Sequence, residues 1–378
     1  MNGSRTALIL TGGGARAGYQ AGVLKAIREL LPEPRGNPFP ILCGTSAGAI
    51  NAASLAVWAE DFDAAVYNLL QVWENFSAHH VYRADPAGIG IAGARWLSTL
   101  AVGWLTRRAP HSLLDNSPLR RLLQDGLDFS RIGRAIDSGA LHSVSITCSG
   151  YSSGQSVSFF QGRPGLDGWR RSQRVGAAAE ITLDHLMASS AIPFLFPAVH
   201  IHREWFGDGS MRQVAPVSPA IHLGADRILV IGAGRMAEEN PRPAGAAYPS
   251  LAQIAGHALS SIFLDSMSVD LERMSRINRT LTLIPDSVRA ESGMELRPIE
   301  VLVIAPSRRL DHLAAQHAGA LPWPVRSLLR GIGAMNANGG ALTSYLLFEQ
   351  AYTRALIELG YADTMGRSEE VRRFLGAI

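Results

Sequence analysis

Cysteine is nearly missing from this chain: among 378 residues only Cys43 and Cys148 occur. Neither lies in a C-x-x-C or Cys/His cluster, which argues against a disulfide scaffold and a structural zinc site, so no metal is expected. Lysine is rarer still. Lys25 stands alone, so 34 of the 35 basic residues are arginine, and the formal net charge is only +3. No dense basic run with interleaved aromatics accompanies those arginines, which argues against nucleic acid as a partner. Charged residues make up 18% of the chain and hydrophobic ones 47%, a balance that excludes disorder and allows a sizeable core. The opening MNGSRTALIL lacks the charged region, long apolar region and cleavage site of a secretory signal, so a cytoplasmic location is expected.

What is present follows an order. The first 55 residues read as strand (7–11), glycine loop, helix (18–31), a Pro-rich connection, strand (ILC), tight turn and helix. That is the rhythm of a parallel sheet covered by helices. SVSITC (143–148), SVSFF (156–160) and RILVIG (227–232) extend it, with helical spacing of apolar residues in DFDAAVYNLLQVWENF and SPLRRLLQDGL. Residues 236–250 are rich in Pro and Ala without periodicity and mark a boundary. Beyond them the pattern predicts a long helix over about 251–278, strands near LTLI and EVLVIAP, and helices to the end.

Three stretches carry chemistry. In ILCGTSAGAINAA, Thr45 and Ser46 either cap a helix or present Ser46 on a G-x-S-x-G turn, whose small neighbours leave room for a substrate. Thr11-Gly12-Gly13-Gly14-Ala15-Arg16-Ala17-Gly18 opens the first helix, where free N–H groups favour an anion. A dinucleotide pyrophosphate would require an acidic residue at the end of the second strand, but that strand ends Cys43-Gly44-Thr45-Ser46. The alkoxide formed when a serine attacks an ester is the anion that fits. For a base, His185, His200, His202 and His257 have no catalytic context, and Asp208 sits between two glycines in what is ordinarily a turn.

G-G-G-x-R, then G-x-S-x-G about thirty residues on, then D-G far downstream, with ASSAIPFLFPAV before the aspartate, together resemble the patatin-like phospholipase family over residues 5–235. The resemblance implies a three-layer α/β sandwich with a mostly parallel central sheet. It places that domain at 5–235, while composition makes 236–250 a linker and the apolar pattern makes 251–378 a mainly helical C-terminal region. By position it implies Ser46 as nucleophile, Asp208 as its base, and Gly13, Gly14 and Arg16 around the oxyanion, with no cofactor. The implied activity is hydrolysis of lipid carboxylic esters, of phospholipase A or lysophospholipase type. Acyl transfer or thioester hydrolysis by the same pair, and a non-catalytic lipid-binding regulator, remain open. Two departures stand out: Ala17 follows Arg16 where the family has glycine, and Ser210 stands where it has Ala or Gly. The Ser210 hydroxyl would lower the basicity of Asp208 by hydrogen bonding, whereas Trp205 and Phe206 would raise it by excluding water. Residues 88–108, with Trp96, Leu97, Leu100 and Trp104 on one helical face and Arg95, Arg107 and Arg108 at its flanks, suit either the protein's own core or peripheral contact with a membrane. Oligomeric state has no signal here.

Overall fold

The computed structural model describes residues 5–33, 36–86, 90, 112–234, 250–262, 266–291, 296–331, 333–335 and 340–377. Nearly all of the 88–108 segment and of the 236–250 linker lies outside the described residues. No helix among those described is long and apolar enough to cross a membrane.

The strands are β1 (Thr6–Leu10), β2 (Ile41–Thr45), β3 (Ser143–Gly150), β4 (Ser156–Gly162), β5 (Trp169–Arg171), β6 (Arg174–Ala178), β7 (Val199–Ile201), β8 (Glu204–Asp208), β9 (Arg227–Ile231) and β10 (Glu300–Ile304). They form one sheet in the order β10-β9-β1-β2-β3-β4-β6-β5, with β8 on β3 and β7 on β8. The pairs from β10 to β3 are parallel, whereas β3 meets β4 and β8 antiparallel. The sheet is therefore mostly parallel at its centre, and the run at 156–160 returns beside 143–148 as a hairpin.

Alternation explains the unbroken apolar runs. Leu8, Leu10, Leu42, Leu229 and Ile231 join the core on one face, under the helices Gly18–Leu30, Ala47–Val57 and Gln350–Met365. Ala7, Ile9, Ile41, Ile228 and Val230 join the core on the other, under the helices Ser218–His222 and Ser266–Thr282. Strands covered on both faces have no polar side to show. Cys43 and Cys148 are free and buried, and burial pushes the Cys43 thiol up to about 12, so both are packing residues rather than nucleophiles.

Two expectations for the C-terminal region change. The helix expected over 251–278 is described in two pieces, Leu251–Ser260 and Ser266–Thr282. LTLI is not a strand. Leu281 belongs to the second helix, where buried Met267, Met274 and Leu281 recur every seven residues, or two helical turns, while Leu283 is exposed. EVLVI is the strand β10, so the region beyond the linker is helical but also completes the sheet edge beside β9.

Candidate active site

The glycine loop leaves β1 and the serine turn leaves β2, and these strands are parallel neighbours with Leu10 opposite Gly44. Both turns therefore emerge at the carboxyl end of the sheet. Ser46 occupies a left-handed conformation, φ 56° and ψ −130°, between β2 and the helix Ala47–Val57. A non-glycine residue there stores about 1–3 kcal/mol of strain, and its side chain makes no capping hydrogen bond. Ser46 is thus a sharp elbow and not a helix cap. Gly48 is required because a Cβ at that position would collide with the carbonyl oxygens of Leu10 and Thr11, where β1 crosses the helix start. Gly14 has φ +55° and lies against the Tyr345 carbonyl, leaving no room for a side chain.

Asp208 ends β8, which pairs with the far end of β3 and brings the carboxylate to the same region. It is 1% exposed. Its Oδ1 accepts the Ser210 N–H at 2.9 Å, whereas Oδ2 is buried with no hydrogen-bond partner among the described residues. Burial pushes the carboxyl up from 3.8 to about 6, against the lowering influence of the Ser46 hydroxyl and of Ser210 through its backbone and side chain. Desolvation outweighs those donors, including the Ser210 hydroxyl singled out as a departure. The aromatic pair splits: Phe206 shares the Asp208 face of the strand and is 5% exposed, but Trp205 alternates to the opposite face and is 53% exposed. Trp205 is stacked edge-on with His200 and does not shield the carboxylate.

Arg16 is tied to a distant part of the chain. It is buried, but its guanidinium is held by the C-terminal region: Nε donates to Ser344 Oγ at 2.8 Å and Nη1 to Tyr345 Oη at 3.1 Å, and the group lies 4.0 Å over the Tyr345 ring. These contacts hold the Arg16 guanidinium against the C-terminal region. The N–H groups of Gly13 and Gly14 remain as candidate donors, since neither is taken up by a protein acceptor among the described residues.

Ser189 had no signal of its own beyond the small-residue string ASSA. Its Oγ accepts the Ser46 N–H at 2.9 Å and donates to the Thr147 carbonyl at 2.7 Å, tying the elbow to β3. His185, on the same helix, is kept neutral by burial, its pKa lowered to about 4, and its Nδ1 faces Thr182. None of the described histidines contributes to the wall of the cavity that adjoins Ser46.

That cavity, about 320 Å³, has Gly14, Ser46 and Ser190 at one end. Its wall follows one stripe of the helix after the elbow, Ser46, Ile50, Ser54 and Trp58, faced by apolar residues such as Leu69, Phe76 and Leu123. The Arg131 guanidinium lies 3.7 Å over the Trp58 ring at the other end. A buried chain of amides links wall and loop: Trp73 Nε1–H donates to Asn51 Oδ1 at 2.9 Å, Asn51 Nδ2–H to Gln20 Oε1 at 2.8 Å, and Gln20 Nε2–H to the Thr11 carbonyl at 2.8 Å. No group of His, Cys, Asp and Glu among the described residues is arranged to hold a metal ion.

If Asp208 acts as a base it must be ionised, so kcat/KM for a neutral short-chain ester should rise as pH passes about 6 and level off above it. A pH–rate profile checks this; a profile flat from pH 4.5 to 8 would assign the base elsewhere.

The family model for patatin-like phospholipases matches residues 8–221. A curated protein of Pseudomonas aeruginosa described as a cGAMP-activated phospholipase is 29% identical over 216 residues, which are 57% of this chain and 55% of that protein. The chain thus spans about half the length of the curated relative it matches. Among solved structures, that of VipD from Legionella pneumophila covers 94% of this chain and 67% of its own, at 12% identity and a TM-score of 0.32.

Proposed function

The chain belongs to the patatin-like phospholipase family, and on that premise we propose that it is a serine acyl hydrolase of lipid esters in which Ser46 and Asp208 work as a pair. Ser46 Oγ attacks the ester carbonyl and Asp208 takes its proton, then returns it to the departing alcohol as the ester C–O bond breaks, while the Gly13 and Gly14 N–H groups hold the oxyanion. The observation that carries this reading is Asp208 itself: a carboxylate buried beside the Ser46 hydroxyl, with one oxygen unpartnered and a pKa raised to about 6. An exposed aspartate, near 3.9, is a far weaker base. A lipid-binding regulator has no need of a strained serine next to a destabilised carboxylate, which favours the enzymatic reading. Treatment with a fluorophosphonate is the test. Stoichiometric labelling at Ser46, with fatty acid released from a phospholipid, is expected; a protein that neither labels nor hydrolyses would be a binder. Capture of the acyl group by an added alcohol in preference to water would favour acyl transfer.

The cavity supports a long acyl chain as the group transferred. Ser46 and Trp58 are twelve residues apart along the stripe, or about 18 Å at 1.5 Å per residue. That is close to one leaflet, half of the ~30 Å hydrocarbon core of a bilayer. Ile50 sits one turn below the serine, so Ile50→Trp should lower kcat/KM for a hexadecanoyl ester relative to a butanoyl ester by about ten-fold or more. An equal loss for both esters would put the chain somewhere else. Peripheral contact with a membrane through residues 88–108 is proposed on the sequence pattern alone, and liposome sedimentation of the Trp96→Ala, Trp104→Ala double variant is its check.

A further inference from the structure

One short stretch of the C-terminal region meets both the glycine loop and the cavity. On the loop side, Arg16 Nε–H donates to Ser344 Oγ at 2.8 Å, Nη1–H to Tyr345 Oη at 3.1 Å and Nη2–H to the Ala341 carbonyl at 3.5 Å. The guanidinium lies 4.0 Å over the Tyr345 ring, and the Tyr345 carbonyl abuts Gly14 so closely that a Cβ there would collide with it. One tyrosine thus grips the loop at Gly14 and at Arg16, whose own N–H closes the turn on the Gly13 carbonyl at 3.1 Å. On the cavity side, Phe348 lines the wall and packs against Phe76 at 5.5 Å between ring centroids, and the Tyr82 hydroxyl donates to the Leu346 carbonyl at 3.0 Å. Arg16, Ser344 and Tyr345 are all buried, and Arg16 forms no ion pair with a carboxylate among the described residues. A cation kept from water on neutral acceptors and a ring is a costly way to fill a core. Beside a loop that receives a developing negative charge it has a use, because donors fixed in advance need no reorganisation when that charge forms.

We propose that Tyr345 and Ser344 are positioning residues for ester hydrolysis: by holding Arg16 and Gly14 they fix the glycine loop in the geometry that receives the oxyanion. This rests on the acyl-hydrolase reading above. Both residues lie beyond 8–221, the part of the chain that the family model matches, so the C-terminal region supports the site as well as the sheet edge. Neither lines the cavity, and they act through the loop and not on the substrate. Their loss therefore weakens binding of the transition state, in which the carbonyl oxygen carries charge, and leaves binding of the uncharged ester nearly as before. The cavity wall at Phe348 has its own support from Phe76 and Tyr82 and stays in place.

Tyr345→Phe removes the hydroxyl that accepts from Nη1 and keeps the ring, and Ser344→Ala removes the acceptor of Nε, so either variant tests this alone should the other fail to fold. Two inhibitors separate the roles. An octyl trifluoromethyl ketone, attacked by Ser46, places an anionic oxygen in the loop; the matching methyl ketone stays uncharged and reports the cavity. Each variant should lower kcat for p-nitrophenyl butanoate by about ten-fold with KM within about two-fold. Affinity for the trifluoromethyl ketone should fall in the same proportion, while that for the methyl ketone holds within about two-fold. Some loss of melting temperature accompanies any deleted buried hydrogen bond, so the ratio of the two affinities decides. If both ketones weaken equally, the stretch serves packing alone and the proposal is overturned. Parental kcat in both variants overturns it, as does a fall in kcat that leaves the trifluoromethyl ketone unaffected. A parent protein that neither hydrolyses the ester nor forms the ketone adduct at Ser46 overturns the hydrolase reading itself, a result read before any variant is made.

Discussion

Ser46→Ala is expected to remove ester hydrolysis by about four orders of magnitude or more, because the oxygen that forms the acyl bond is gone while the glycine loop and cavity persist. Measurement of kcat with a short-chain ester checks it, and turnover within ten-fold of the parent would exclude Ser46 as nucleophile. The elbow provides a second, independent readout. Ser46 is at φ 56°, where a Cβ is strained and glycine is not. Ser46→Gly should therefore be as inactive as Ser46→Ala yet melt at a higher temperature, by the equivalent of about 1–3 kcal/mol. The opposite order of melting temperatures would mean that the turn is unstrained. A gain in stability on deleting the reactive group is what is expected where strain is held at a catalytic position.

Asp208→Asn should cut kcat by about 10²–10⁴-fold with the fold intact, since the amide oxygen still accepts the Ser210 N–H but cannot take a proton. Its effect on stability has a definite sign. The folded-state pKa of about 6 lies above the ordinary 3.8, so the folded protein holds a proton that the unfolded chain releases. That contribution is complete below pH 3.8 and is lost as pH rises through 6, a difference of about 3 kcal/mol for a shift of this size. Asparagine does not titrate, so its stability relative to the parent should improve by about that amount between pH 4 and pH 8. Its NH₂ group takes the place of an unpartnered oxygen and costs about 1–3 kcal/mol at every pH. The change with pH, measured by denaturant titration, is therefore the diagnostic and not the absolute difference. A pH-independent difference would mean that Asp208 ionises as an exposed carboxylate does. If Asp208 is the base proposed above, catalysis and stability pull on it in opposite directions: burial that strengthens the carboxylate as a base also makes its charged form a burden on the fold.

The chain itself determined whatever depends on near neighbours. The runs ALILT and ILC, each followed by glycine, marked β1 and β2, and the tiny residues flanking Ser46 marked the elbow, because strand burial and turn sterics act within a few positions. The order of the three glycine-bearing motifs, from Gly12 through Ser46 to Asp208, was enough to nominate the nucleophile and its base. Packing between distant segments was not legible. Arg16 meets Ser344 across 328 positions and Ser46 meets Ser189 across 143, and no local pattern encodes either contact. A basic residue beside a glycine loop reads as an anion ligand, and nothing local announces that its guanidinium also bonds the C-terminal region. Trp205 beside Phe206 reads as one hydrophobic shield, yet strand alternation sends them to opposite faces and only the sheet decides which face is covered. The same holds for the basicity of Asp208. Three letters, G-D-G, describe a solvated turn with an ordinary carboxylate, and only the tertiary structure, by excluding water from that carboxylate, raises its pKa to about 6.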